Sequence, residues 1–428
     1  MSFKYKCAVA ALVLPVWAGI AVAAPCGAPS SAITGYTAGQ PLTLDGAIAR
    51  VRAASPEVRA AALEASARSA DADQAGRWLN PALSVEVENF AGRGPLKGFS
   101  QSETTLTLEQ TFRLGGKRRL SERAARAEAA LATAECGVML REAELAAAEG
   151  VVELDALLQL ALAAREAATL ATDLAGTVGL RVEAGAAAPP ERSRAQAEAA
   201  LLEAAAAAAE AEVEIRAYAL AALWGDAAPD FTLPNSGVQL AADANAAGTL
   251  GTHPRLEAAT AAADAGQAAA ALARAGAVPD VTVSAGWRRM EEIGEDAFTA
   301  GISVPLPLFD RNKDAARAAG LRRDGAALSA QATEARLQAE QSAAAARVRA
   351  AEARLQILES KALPDARSAY QASAEGYRIG RFDLTSTLDA RRSLIETETQ
   401  VIEARAAVAT ETLRLRALIG AAPFAGEK

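Results

Sequence analysis

The sequence contains one histidine, three cysteines, three methionines and only 4% aromatic residues. A lone imidazole cannot build a metal centre. His253 sits beside Pro254 at a helix start with no second histidine or thiol to join it, which argues against a metal site. No arrangement of nucleophile, base and oxyanion donor can be picked out, so the chain reads as a non-enzyme that needs no cofactor. The formal charge is -8 with no basic stretch, which argues against nucleic acid as a partner, because few phosphates could be neutralised. Past Ile20 there is no apolar run long enough for a membrane-spanning helix.

What is abundant is alanine, which carries much of the 51% hydrophobic fraction. Alanine is the best helix former and buries little area, so long helices in close mutual contact are expected in place of a bulky core. The N-terminus carries Lys4 and Lys6, then an apolar run from Cys7 to Ile20, then Ala21, Val22 and Ala23. This layout predicts a signal peptide over residues 1–23, cut before Ala24. Pro25 precedes Cys26 where a lipoprotein needs a small residue, which argues against lipidation. Cys26 and Cys136 would then be the remaining cysteines, in an oxidising compartment, able to form one disulfide or to remain two thiols.

The chain is one unit written twice. Ser55-Pro56 and Asn80-Pro81 match His253-Pro254 and Val278-Pro279 at an offset of 198, while Gly185 matches Gly380 and Gly225 matches Gly420 at 195. The first copy is placed at residues 24–240 and the second at 241–428. Each opens with a helix whose first position is proline. Alternating segments follow: Leu83, Val85 and Val87 against Glu86 and Glu88, then Leu106 and Leu108 against Thr105, Thr107 and Glu109. In the second copy Val281, Val283 and Trp287 oppose Thr282 and Ser284, then Phe298, Ile302 and Val304 oppose Thr299 and Ser303. Period two predicts β-hairpins at about 81–114 and about 280–308. Very long helices begin near Gly116 and Arg311, with heptads Leu131-Val138-Leu145-Val152 and Leu394-Val401-Val408-Leu415 that predict coiled-coil packing. They reverse at tips about 184–190 and about 376–384, marked by Gly, Pro and Asp.

The strands have the length of tilted membrane strands, and the scarce aromatics Trp78, Phe90, Phe112, Trp287, Phe298 and Phe309 fall at or near their ends, as a membrane girdle would. Two hairpins leave open edges that lipid does not tolerate, so the barrel must close with further copies; four strands per chain permit eight, twelve or sixteen.

This order resembles the TolC family of outer-membrane efflux proteins. The segments Glu109 to Arg118 and Val304 to Asn312 are similar to the strand-to-helix junctions of its cobalt-zinc-cadmium resistance (CzcC-type) branch. Tyr377-Arg378-Ile379-Gly380 with Leu388-Asp389-Ala390 resembles the periplasmic tip. The resemblance implies an α plus transmembrane-β fold: a homotrimer with a twelve-stranded outer-membrane β-barrel continuous with a long periplasmic α-helical barrel. It further implies docking on a periplasmic membrane-fusion adaptor and an inner-membrane proton-driven pump of the resistance-nodulation-division class. The expected function is a passive conduit, with heavy-metal cations such as cobalt, zinc and cadmium as cargo. A type I protein secretion or drug efflux partner shares the fold. A secreted helical structural or lipid-surface protein without a pore is the reading from another class.

Expected lumen-lining residues are Glu86, Glu88, Glu109, Thr105, Thr107, Thr282, Ser284, Thr299 and Ser303, the three glutamates forming acidic rings by symmetry. Gly185, Ala186, Gly380 and Arg381 are candidate adaptor contacts, although Ala184-Gly185-Ala186 and Pro189-Pro190 depart from the Val-Gly-Leu often found in the family. Asp365, Glu375, Asp383 and Asp389 are candidates for an acidic constriction near the second tip.

Overall fold

The computed structural model describes residues 41–232 and 253–419, together with Cys26. The expected signal peptide lies outside the described residues. Helix α1 (Leu44–Ala54) starts from a Thr43 cap whose hydroxyl accepts from Gly46 N, and α2 (Pro56–Ala75) starts on a proline. Strands β1 (Ala82–Glu88) and β2 (Glu103–Phe112) form the first hairpin. Helix α3 (Lys117–Glu183) then runs unbroken for 67 residues, about 100 Å at the helical rise, and α4 (Pro189–Ala222) returns. The second half repeats the order as α5 (Pro254–Ala275), β3 (Val281–Met290), β4 (Glu295–Ser303), α6 (Lys313–Ile357), α7 (Leu363–Arg378) and α8 (Leu384–Leu418).

One difference separates the two long helices. Between α6 and α7 lies a π-helical turn, Leu358–Ala362. Pro364 explains it: the ring would crowd the Ser360 carbonyl and supplies no N–H to it, and the wider turn absorbs the defect without ending the helix. The first copy has no proline in this stretch, and α3 is regular throughout.

The four strands make one antiparallel sheet in the order β1-β2-β3-β4, so β2 and β3 join the hairpins of the two repeats. The helices pack as a layer whose buried contacts are small. Ala147, Val151, Leu154 and Leu220 meet Ala47 and Val51 of α1 and Trp224 in one cluster, and Ala409, Leu413 and Ala417 meet Ile48, Ala148 and Val152 in another. Return helices end where short helices begin: Pro56 at the start of α2 lies 3.2 Å from the Cβ position of Gly225, just past α4. Likewise Ala417 and Leu418 of α8 border the same pocket as His253 and Pro254 of α5. Each long helix is thereby flanked along most of its length by two shorter helices stacked end to end. Cys26 is bridged to Cys136 on α3, with the two Cα atoms 5.4 Å apart. Among the described residues no helix is long and apolar enough to cross a membrane.

Candidate functional site

The sheet has two chemically distinct faces, set by strand register. Leu83 pairs with Leu108 and that with Ala285 and Ala300; Val85 pairs with Leu106, Trp287 and Phe298; and Gln110 pairs with Val283 and Ile302. These side chains point away from the polar face and stand open: Leu83 is 67% exposed, Ile302 75% and Phe298 88%. Exposed apolar area of this extent marks an interaction surface, and a band of Leu, Val, Ile, Phe and Trp on tilted strands is what lipid requires. Trp287 and Phe298 face each other within the strands, Phe112 ends β2 and meets Trp78 edge-on at 6.2 Å, and Phe90 stacks on Phe99 in the β1–β2 loop at 5.8 Å. Phe309 lies beyond β4 and is fully exposed.

The opposite face carries all nine expected lumen residues in successive rows. Farthest from the helices lie Glu88, Glu103, Met290 and Glu295. The next row has Glu86, Thr105, Arg288 and Ala297, followed by Ser84, Thr107, Gly286 and Thr299. Nearer the helices come Glu109 with Ser284 and Gly301, then Thr111, Thr282 and Ser303, where the two threonine hydroxyls are 2.9 Å apart. Glu103 and Arg288 escaped the sequence reading. Both are visible in hindsight, because extending the period-two count of β2 back by two residues and of β3 forward by two lands on them. Arg288 Nη1 donates to Glu103 at 2.9 Å and its Nε to Thr105 Oγ1 at 3.0 Å, with Nη2 3.7 Å from Glu88.

The other end of the molecule holds the two tips, built alike. Gly185 and Gly380 take the left-handed conformation at φ 68° and 78°, which a side chain would strain. Around them Ala186 N bonds Arg181 O and Gly185 N bonds Val182 O, as Arg381 N bonds Gly376 O and Gly380 N bonds Tyr377 O. This is the paired closure of a Schellman motif in both copies. Phe382 packs against Gly376, leaving no space for a Cβ at that position.

The tips are stitched together by residues that differ between the repeats. Arg181 stands where the second copy has Gly376. Its guanidinium donates to the carbonyls of Tyr377, Arg378 and Ala186 and lies 4.7 Å from the Tyr377 ring centre. The Tyr377 hydroxyl donates to Glu191 at 3.2 Å, and burial followed by that carboxylate raises the phenol's pKa. Glu191 also accepts from Ala188 N, capping α4, and Arg194 donates to Thr385 at 3.1 Å. Together these residues surround an open cavity of about 330 Å³. Arg181 was missed in the sequence; the signal was the broken equivalence between the copies. Farther from the tips, Arg391 is 2% exposed and reaches Glu198 at 3.3 Å.

The four acidic residues near the second tip do not converge within one chain. Asp383 caps α8 by accepting from Ser386 N, and the Ser386 bonds hold its carboxyl below the usual range. Glu375 pairs with Arg378 at 2.7 Å, and that hydrogen bond lowers its pKa. Asp389 lies 3.9 Å from Arg392, and Asp365 occupies the first turn of α7. His253 caps α5 through Nδ1, which accepts from Arg255 N at 3.2 Å; burial, then Arg255 and Arg141, push its pKa down. No group of three or more His, Cys, Asp or Glu suited to a metal ion occurs among the described residues.

Comparison with known proteins agrees with this geometry. Residues 248–421 match the family model for outer membrane efflux proteins. The cobalt-zinc-cadmium resistance protein CzcC of Cupriavidus metallidurans is 29% identical over 90% of this chain and 93% of its own. The nickel and cobalt resistance protein CnrC of the same organism is 37% identical over 62% of this chain and 64% of its own. Among solved structures, the outer membrane protein VceC of Vibrio cholerae superposes with a TM-score of 0.73 at 24% identity, covering 88% of this chain and 96% of that one. The Campylobacter jejuni CmeC outer membrane channel gives 0.76 at 15% identity, covering 96% and 94%. Residues 248–421 thus match the outer membrane efflux protein model, the chain is similar over nearly its whole length to the cobalt-zinc-cadmium resistance protein CzcC, and its fold is that of the outer-membrane channels VceC and CmeC.

Proposed function

We propose that three copies of this chain form an outer-membrane conduit that exports heavy-metal cations, of the cobalt, zinc and cadmium type, from a periplasmic adaptor and a proton-driven inner-membrane pump. The observation that carries this reading is the two-faced sheet. One face is apolar and exposed, the other holds carboxylates and hydroxyls, and the sheet continues into helices about 100 Å long. A flat four-stranded sheet with lipid on one side and water on the other has unpaired backbone along β1 and β4, and lipid cannot satisfy those groups. Joining β4 of one copy to β1 of the next removes every edge. Three copies give a twelve-stranded barrel, and the long helices of each chain then enclose the periplasmic continuation.

The cargo is inferred from the resistance proteins to which the chain is similar, and the luminal carboxylates suit it. Glu86, Glu88 and Glu109, repeated by symmetry, lower the entry barrier for cations. Ions pass hydrated, since the lining offers no imidazole or thiolate to capture them. The tips around Gly185, Ala186, Gly380 and Arg381 are the adaptor-docking ends, and Asp365, Glu375, Asp383 and Asp389 of the three copies converge there as an acidic constriction. The first repeat is assigned to residues 24–240 and the second to 241–428.

Two measurements test this. A deletion strain should become sensitive to cobalt, zinc or cadmium and recover when the gene is restored; unchanged tolerance to all three would remove the metal assignment. In planar bilayers the purified protein should conduct with cation preference, reduced in Glu86→Gln. Conduction with a preference indifferent to that substitution would remove the acidic-ring role.

A further inference from the structure

We propose that Arg288 is the residue that sets ion selectivity at the far end of the strand lumen, acting as a fixed countercharge inside a cluster of glutamates. The inference rests on the conduit reading above. In the two rows farthest from the helices each chain places Glu86, Glu88, Glu103 and Glu295 on the polar face, and Arg288 as the lone cation among them. The two rows nearest the helices hold a single charged residue between them, Glu109, so the charge profile along the lumen is steepest where Arg288 stands.

Its placement is fixed from three directions. Nη1 donates to Glu103 at 2.9 Å, Nε donates to Thr105 Oγ1 at 3.0 Å, and Nη2 faces Glu88 at 3.7 Å. All three partners belong to the first hairpin, whereas Arg288 belongs to the second, so the guanidinium spans the seam between the repeats. Thr105 is buried beneath it, yet the arginine side chain remains 35% exposed and its charge faces the water side of the sheet. A planar fork of donors can hold the Thr105 hydroxyl and two carboxylates at once, which an ammonium point charge does less well.

The formal charge of this region is three negative per chain with Arg288 and four without it. In a three-fold assembly that is three extra negative charges around one opening. With a permeant ion about 10 Å from each, and screening over about one Debye length at 0.1 M salt, the change shifts cation accumulation about twofold. At about 1 M salt the Debye length falls to about 3 Å and the effect disappears.

The test is reversal potential in planar bilayers under a potassium chloride gradient near ~0.1 M, using the purified full chain and its R288Q, R288K and E103Q variants. R288Q should raise the cation-to-anion permeability ratio about fourfold, cations gaining and anions losing about twofold each, and E103Q should lower it comparably. R288K should reverse the R288Q shift, because it restores the charge. All differences should fade near ~1 M salt. A conducting R288Q channel with the parent's ratio at low salt overturns the assignment, as does a shift that persists at high salt, which would be an effect of shape. If R288Q does not assemble, an unchanged ratio in E103Q overturns it equally. A parent protein that assembles but never conducts overturns the conduit reading itself, a result distinct from both.

Discussion

Replacing Arg181 with methionine should unlatch the two tips from each other while leaving the helices that carry them intact. Methionine keeps an unbranched apolar stem like that of arginine and removes its guanidinium donors. The lost interactions are the bonds to the carbonyls of Tyr377, Arg378 and Ala186 and the stacking over the Tyr377 ring at 4.7 Å. Hydrogen bonds from a charged donor contribute about 1.5–3 kcal/mol when well made, and an exposed cation–π contact about 0.5–1 kcal/mol. The site is half open to water and the bond to Arg378 is long at 3.3 Å, so only part of that sum is realised. A loss of about 2–4 kcal/mol in the free energy of local opening is expected. Amide hydrogen exchange reads this directly: protection at residues 184–187 and 376–382 should fall by about 30- to 1000-fold, at about 1.4 kcal/mol per tenfold. Protection in the middle of α3 and α8 should not change. Tip protection equal to the parent's would refute the latch, and loss of protection along the whole of α3 would show that Arg181 supports the helix instead.

Three further outcomes follow from single residues. Glycine 376 leaves room for Phe382, and Gly376→Ala should cost about 1–3 kcal/mol in tip stability, measured by thermal unfolding, with part recovered when Phe382→Ala is added. His253 is held neutral by burial and its arginine neighbours, so its folded pKa lies below the unfolded value near ~6.5 and the unfolded chain binds the proton more readily. Stability should be steady above about pH 6.5 and fall below it, and His253→Asn, which replaces the capping Nδ1 with an amide oxygen and does not titrate, should flatten that fall in denaturant titrations. The Cys26–Cys136 bridge ties residues 110 apart, so Cys136→Ser should lower the unfolding free energy by about 2–4 kcal/mol. A reductant should reproduce the loss in the parent and do nothing to the variant.

How much of this was legible in the sequence differs by the kind of signal. Strand faces were readable because period two is strict: once Thr105 and Thr282 are placed, parity alone puts Thr107, Glu109 and Ser284 on the same sides of their strands. The tips were readable because Gly185 and Gly380 need a left-handed backbone that few other residues adopt. The π turn before Pro364 was harder, since a helical proline can kink, end or be absorbed by a helix, and only the neighbouring helices decide. The pairing of Arg181, Glu191 and Arg391 with their partners was illegible for another reason, even where the broken repeat at Arg181 marked the position. Their partners Tyr377 and Glu198 lie across the interface between two helical hairpins, and no local period relates residues nearly two hundred positions apart.

That last class is also where the duplication has diverged, and the divergence has a physical cause. Arg181 of the first copy donates to the Tyr377 and Arg378 carbonyls beside the Gly380 turn of the second, whereas Gly376, its counterpart one repeat later, makes room for Phe382 of its own tip. The same logic holds in the sheet. Arg288 of β3 meets Glu103 and Glu88 of the first hairpin across the β2–β3 seam, whereas the residue one repeat earlier, Phe90, lies beyond β1 and stacks in the loop. Seams between the copies are therefore the places where residues must differ, and a tip variant such as Arg181→Met tests one seam while R288Q tests the other.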